Sequence, residues 1–196
     1  MKFRKITTAI ILFTTLSSGL FALEKNAIEK DISIKINQAL NILNTKSLTK
    51  KQQAQKIFSL LDEVFDYNIM SKLALGKQQW GAISNSEKKE FVKLFEKKLK
   101  QSYVDKLALY DNQKVVVLGL KNYQKNRLQL QTELIGKDET YPINYNFYNN
   151  KGDWKIYDVD ISGVSIIQTY RQQFSGLLKE KSFQKILAQL RSEEIK

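Results

Sequence analysis

Apolar positions along the chain change period twice. From residue 24 to about residue 110 they recur at helical spacing, from 114 to 161 they alternate with polar ones, and from 162 onward helical spacing returns. Ile28, Ile32, Ile36, Ala39, Leu40 and Leu43 mark one face of a helix over Glu24–Leu43, and Ile57, Leu60, Leu61, Val64 and Phe65 one over Thr49–Phe65. A third, Tyr67–Leu75, stops at Gly76, a common helix-ending residue. The longest has the clearest start. Ser84 precedes Glu87 by three residues, a capping box that satisfies otherwise orphaned backbone donors. Phe91, Phe95, Leu99, Tyr103 and Leu107 then form a stripe that extends to about Tyr110, a rod of roughly 35–40 Å at 1.5 Å per residue.

The alternating region predicts four strands. The first is Lys114–Leu120. The second has Leu128, Leu130 and Thr132 on one face, and the third Tyr141, Ile143, Tyr145 and Phe147. The fourth is Trp154–Ile161, reached by a turn over residues 149–153. Such alternation buries one face of a sheet and wets the other, as antiparallel sheets allow. Beyond it, Ser162 is positioned to cap a helix presenting Val164, Ile167, Tyr170, Phe174, Leu177 and Leu178. Ser182 is positioned to cap a last one with Phe183, Ile186, Leu187 and Leu190. Helices, then strands, then helices make an α+β domain: a twisted antiparallel sheet of about four strands packed against helices.

The first 22 residues stand apart. Lys2, Arg4 and Lys5 precede an apolar run from Ile6 to Leu16, and small residues follow. This is the pattern of a secretory signal peptide over residues 1–22, with cleavage expected after Ala22. The run is shorter than the roughly 20 residues that span a bilayer. Residues 23–196 then form a single domain.

Composition narrows the function. The formal net charge is +12, which in an exported protein favours acidic protein surfaces or anionic lipid over nucleic acid. Cysteine and histidine are both absent, which removes thiol chemistry, disulfides, the commonest general base and the commonest metal ligand. Neither a metal site nor a cofactor is expected. The remaining catalytic candidates are Asp158 and Asp160, two apart on a strand and so on one face. Two such carboxylates can share a proton or hold a cation; they can equally solvate an outer face. The lysines opposite the long helix's stripe, Lys88, Lys89, Lys93, Lys97 and Lys100, suit docking on an acidic partner.

Two blocks carry a family resemblance. One is F-D-Y-N-I-M-S-K-L-A-L-G-K-Q-Q-W from Phe65, followed by the long helix from Ser84 to Tyr110. The other is G-D-W-K-I-Y-D-V-D-I-S-G-V-S-I-I-Q-T-Y-R-Q-Q-F, Gly152 to Phe174. Together they resemble the MlaC family of periplasmic phospholipid-binding proteins, also called the toluene-tolerance auxiliary family. That resemblance implies a non-enzymatic monomer with a lipid-tail cavity between sheet and helices. The implied activity is transfer of phospholipid between an inner-membrane ABC transporter complex carrying an MCE-domain protein and an outer-membrane lipoprotein complex, which maintains outer-membrane lipid asymmetry. The inward-facing residues then expected to line the cavity are Leu128, Leu130, Tyr145, Phe147, Tyr157 and Val159 on the strands. Val164 and Ile167 join them from the following helix, and Ile69, Leu73, Phe91 and Phe95 from earlier ones. Arg171 is the candidate for touching the headgroup phosphate. The competing readings are an interaction module or chaperone with a solid core, and a hydrolase using Asp158 and Asp160.

Overall fold

The computed structural model describes residues 22–108 and 110–192. The expected signal peptide lies outside the described residues but for Ala22. Seven helices and five strands follow in the order α1 Ile28–Leu43, α2 Lys50–Leu61, α3 Tyr67–Leu75, α4 Lys77–Ala82, α5 Asn85–Ala108, β1 Lys114–Gln124, β2 Arg127–Ile135, β3 Thr140–Asn150, β4 Asp153–Ile161, β5 Val164–Ser165, α6 Ile166–Glu180 and α7 Phe183–Ser192. The strands form one antiparallel sheet in sequence order. No helix among the described residues is long and apolar enough to cross a membrane.

Several boundaries move for identifiable reasons. Helix α1 starts at Ile28 rather than Glu24 because residue 23 pairs with the sheet: the Trp154 amide donates to the Leu23 carbonyl, and the Leu23 amide to Asp153 Oδ1. Helix α2 ends at Leu61 because the chain beyond it pairs with β4. The Ile156 amide donates to the Val64 carbonyl and the Asp66 amide to that of Ile156. Thr49 and Gln52 form a reciprocal capping box at the start of α2, and Asp66 caps α3. Short α4 and two-residue β5 carry too few apolar positions to show a period.

The expected cap at Ser162 is corrected. Ser162 sits in the turn after β4 with φ 53°, its amide donating to the Pro142 carbonyl. Ser165 caps α6 instead, accepting from the Gln168 amide at 3.0 Å. Only Gly163 and Val164 lie between them, in the turn and the two-residue strand, which a serine-before-apolar pattern does not reveal.

Register places Leu128 opposite Phe147, Leu130 opposite Tyr145 and Thr132 opposite Ile143 on the inner face. A bulge in β4 beside Asn146/Phe147 keeps Trp154, Ile156, Val159 and Ile161 on that face by absorbing one residue. The helices meet elsewhere in a dense aromatic core. Phe91, Phe95 and Phe174 are fully buried. Ring centroids lie 5.3 Å apart for Phe91–Phe174, edge to face, and 5.8 Å for Phe91–Phe95 and Phe91–Phe183. Aromatic pairs in such geometry add about 0.5–1.5 kcal/mol beyond area burial. This core pins the first half of α5 to α6 and α7. Truncating Phe91 to Ala is expected to cost about 3–5 kcal/mol of unfolding free energy, measured by urea denaturation.

A two-lobed apolar cavity as candidate functional site

The second half of α5 leaves the aromatic core and passes over the inner face of the sheet. Helices α1 and α2 close the other sides. The space between is not filled by side chains. One lobe, of about 260 Å³, lies against Phe58 and Leu61 of α2, Leu99 and Tyr103 of α5, and Val159 and Ile161 of β4. The other, of about 500 Å³, lies against Ile36, Leu40 and Leu43 of α1 and Val115, Leu134 and Tyr141 of the sheet. Ile57, Leu61, Leu107, Ile143 and Tyr145 border both lobes, so the two adjoin across shared walls. The sizes fall within or close to the roughly 300–1,000 Å³ of small-molecule pockets.

The polar groups sit at the margins. Lys35, Lys106 and Gln113 border the larger lobe, and Tyr141, 42% exposed, marks its open side. Lys35 is tied to Glu63 at 2.8 Å, and this hydrogen-bonded pairing holds the Glu63 carboxyl below its ordinary range. Lys100 borders the smaller lobe and donates to Asp62 and Glu96. Burial opposes its charge, but the two carboxylates outweigh burial and hold the ammonium above its usual value. Lys100 is thus a structural ion-pair centre rather than part of a free docking face, whereas Lys89 and Lys93 are exposed.

The residues expected to line a cavity fall in different places. Tyr145 and Val159 do line it. Leu128, Leu130 and Phe147 point the same way but are sealed in the core beneath α1, with Ile28, Ile32 and Val64. Phe91 and Phe95 belong to the solid aromatic core, and Ile69 is half-buried on α3 outside both lobes. Leu73, Tyr157, Ile167 and Arg171, with Leu128 again, border a separate polar cleft at the outer face of the sheet. Val164 is placed at the sheet edge, 60% exposed, because the β4–β5 turn replaces the helix expected there.

In the outer cleft Arg127 lies 4.2 Å over the Tyr157 ring. Arg171 donates to the Leu73 carbonyl at 3.1 Å and packs on Gly76, where a Cβ would stand 3.0 Å from its Nη1. Gly76 also has φ 88° and ψ 151°, a conformation essentially reserved for glycine.

The residues missed are mostly those of α1 and α2: Ile36, Leu40, Leu43, Ile57, Phe58 and Leu61, together with Ile143 and Leu107. Their helical stripes were visible in sequence. What was not visible is that these stripes face a void.

Asp158 and Asp160 have structural partners. Asp158 accepts from Ser165 Oγ at 2.7 Å and from the Ile167 amide at 3.1 Å, and Asp160 accepts from the Gly163 amide at 2.9 Å. Burial pushes the Asp158 carboxyl up, and these hydrogen bonds only partly offset it. Among the described residues no group of three or more carboxylates is placed to hold a metal ion.

A single sheet and its helices thus surround an apolar, two-lobed hollow. The profile of the MlaC protein family matches residues 34–192, and the chain belongs to that family. It is similar to the toluene tolerance protein ttg2D of Pseudomonas putida, with 26% identity over 61% of this chain and 56% of that protein. It is also similar to the intermembrane phospholipid transport system binding protein MlaC of Haemophilus influenzae, with 25% identity over 55% and 52%. The matched stretch thus spans about half the length of these relatives. The fold is shared with the phospholipid-binding protein of Ralstonia solanacearum, solved in complex with a phospholipid, at a TM-score of 0.72 and 19% identity over 84% of this chain and 94% of that one.

For Asp158 the sign of the pH effect follows from the raised carboxyl. Its contribution to stability is present at acid pH and is lost as pH rises through the folded-state value. Asp158→Asn keeps a carbonyl for the Ile167 amide and removes the buried charge, so it is expected to stay within about 1 kcal/mol of wild type, whereas Asp158→Ala is expected to lose about 1–3 kcal/mol by orphaning the donors. Urea denaturation at pH 7 distinguishes the two, and both variants are expected to keep any ligand bound in the cavity.

Proposed function

We propose that this chain is a periplasmic phospholipid carrier, exported by residues 1–22, that shuttles lipid between an inner-membrane ABC transporter complex with an MCE-domain protein and an outer-membrane lipoprotein complex. On this reading it maintains outer-membrane lipid asymmetry, performs no catalysis, requires no cofactor and works as a monomer. The observation that carries the reading is the apolar hollow itself, open at a polar margin and bordered by half-buried side chains of α1 and α2 such as Ile36, Leu40 and Leu61. The names and the bound ligand of the similar proteins support it.

The chemistry needed is transfer, not reaction. An acyl tail of about 15 methylenes gains roughly 12 kcal/mol on leaving water, at about 0.8 kcal/mol each. Free phospholipid is therefore scarce in an aqueous compartment. A slot as apolar as a bilayer makes exchange nearly neutral and removes the crossing of water.

Native mass spectrometry of protein purified without detergent is expected to show bound phospholipid. Ile143 borders both lobes and is not part of the sealed core. Ile143→Asp places a charge in the slot and is expected to lower retained lipid about tenfold or more, with circular dichroism unchanged. Stripping the lipid is expected to lower the thermal midpoint, because a ligand bound only by the folded state stabilises it by mass action. Protein that is empty as purified, or an Ile143→Asp variant as loaded as wild type, would overturn the proposal.

A further inference from the structure

The burial of the chain changes abruptly between two neighbouring residues. Ala22 is exposed, whereas Leu23 is buried and belongs to the sealed core with Ile28, Ile32 and Trp154. Both backbone groups of Leu23 are engaged. Its carbonyl accepts from the Trp154 amide at 2.9 Å, and its amide donates to Asp153 Oδ1 at 2.9 Å. The other oxygen of that carboxylate, Oδ2, pairs with Lys155 Nζ at 3.0 Å. Asp153 opens β4, so these contacts fasten residue 23 to the sheet.

A neutral amide asks only for an acceptor, which an asparagine would supply as well. A carboxylate offers more once residue 23 becomes a terminus. Hydrolysis of the Ala22–Leu23 peptide bond consumes one water and leaves a carboxylate on Ala22 and an amino group on Leu23. An α-amino group ordinarily titrates at about 7.7–8.0, so at neutral pH most copies take up a further proton and become ammonium. The charge then arises 2.9 Å from Asp153 Oδ1, on a residue whose side chain and carbonyl are already held. Cleavage one bond earlier would put the charge on exposed Ala22, about 3.8 Å further along the chain. Cleavage one bond later would remove Leu23 and both of its hydrogen bonds.

We propose that cleavage between Ala22 and Leu23 creates an ion pair between the new terminal ammonium and Asp153, so that the processed chain gains stability that its precursor lacks. The inference rests on export as read above and adds the bond that is cut and the group that receives the new terminus. A charge-assisted hydrogen bond is roughly twice as strong as a neutral one. The Asp153 side chain is 27% exposed, so solvent screens only part of that gain. The added stability arrives after the leader has served its purpose.

Two measurements test this. The intact mass of the full chain expressed in a Gram-negative host and recovered from its periplasm is expected to fit a protein that starts at Leu23. Urea denaturation at pH 7 then compares that protein with the same chain acetylated at Leu23, which keeps an N–H for Asp153 and loses the charge. The free terminus is expected to raise the ratio of folded to unfolded protein about threefold to tenfold. Asp153→Asn keeps an acceptor and is expected to erase the difference. Should that variant fail to fold, 1 M sodium chloride takes its place and is expected to shrink the difference in wild type. Equal stability of free and acetylated chains, or a difference that survives both Asp153→Asn and salt, overturns the ion pair and leaves export and the carrier reading standing. A protein that starts at another residue overturns the processing bond. Protein recovered with residues 1–22 still attached overturns export as well.

Discussion

The aromatic packing that pins the first half of α5 is the constraint on which the hollow depends. Phe91 and Phe95 contact Phe174 and Phe183, and Phe95 also meets Tyr170 edge to face with centroids 5.0 Å apart. These rings come from three helices and fix where α5 points. Four and more residues further on, the same stripe continues as Leu99, Tyr103 and Leu107, but now it overhangs the sheet instead of meeting another aromatic layer. If α5 were free to tilt, hydrophobic attraction would draw it onto the sheet and close the gap. At about 24 cal/mol per Å³, an empty apolar void of the larger lobe's 500 Å³ would cost roughly 12 kcal/mol, which is comparable with the whole stability of a domain. Water entering at the polar margin lowers that figure. The sign stands: the fold stores a preference for being filled.

The solid and hollow halves are joined at the start of α6. Asp158 reaches from β4 to the Ser165 hydroxyl and the Ile167 amide, and Ser165 in turn caps the helix. Ile166 touches both halves, since it packs against the aromatic core and against the sheet's inner face. The carboxylate that looked like catalytic material is thus a strut. Its burial works against its charge, yet four hydrogen-bonding groups converge on it. This places a polar cost at the junction, where orientation of α6 against β4 determines how far the helices stand from the sheet.

Much of this architecture was legible, because it follows from periodicity. The inner-face series of β2 and β3 appears in sequence as strict alternation, and the Ser84–Glu87 box forms with the Ser84 amide 2.7 Å from Glu87 Oε2. Local rules failed where a short tertiary element intervened. Ser162 and Ser165 are both serines before apolar residues, and only the positive φ at Ser162 separates them. The site was less legible than the fold. Phe91 and Leu107 belong to one stripe with one period, yet one faces rings and the other a cavity. Whether a stripe meets a partner depends on the angle between elements, which no local pattern encodes. Val164 was misplaced for the complementary reason, as an apolar residue assigned to a helix that begins two residues later.

The distribution of polarity around the hollow favours exchange over permanent storage. Ion pairs involving Lys35 and Lys100 lie at its borders, where they keep charge out of the slot and leave water access to the margin. The affinity supplied by two tails is tens of kcal/mol relative to water and close to nothing relative to a membrane. Selectivity in such a site cannot come from the tails, because all bilayers and all apolar slots solvate them alike. It has to come from the few polar groups at the margin. On the carrier reading proposed above, exchange is ready because the slot's binding energy is matched by that of a membrane.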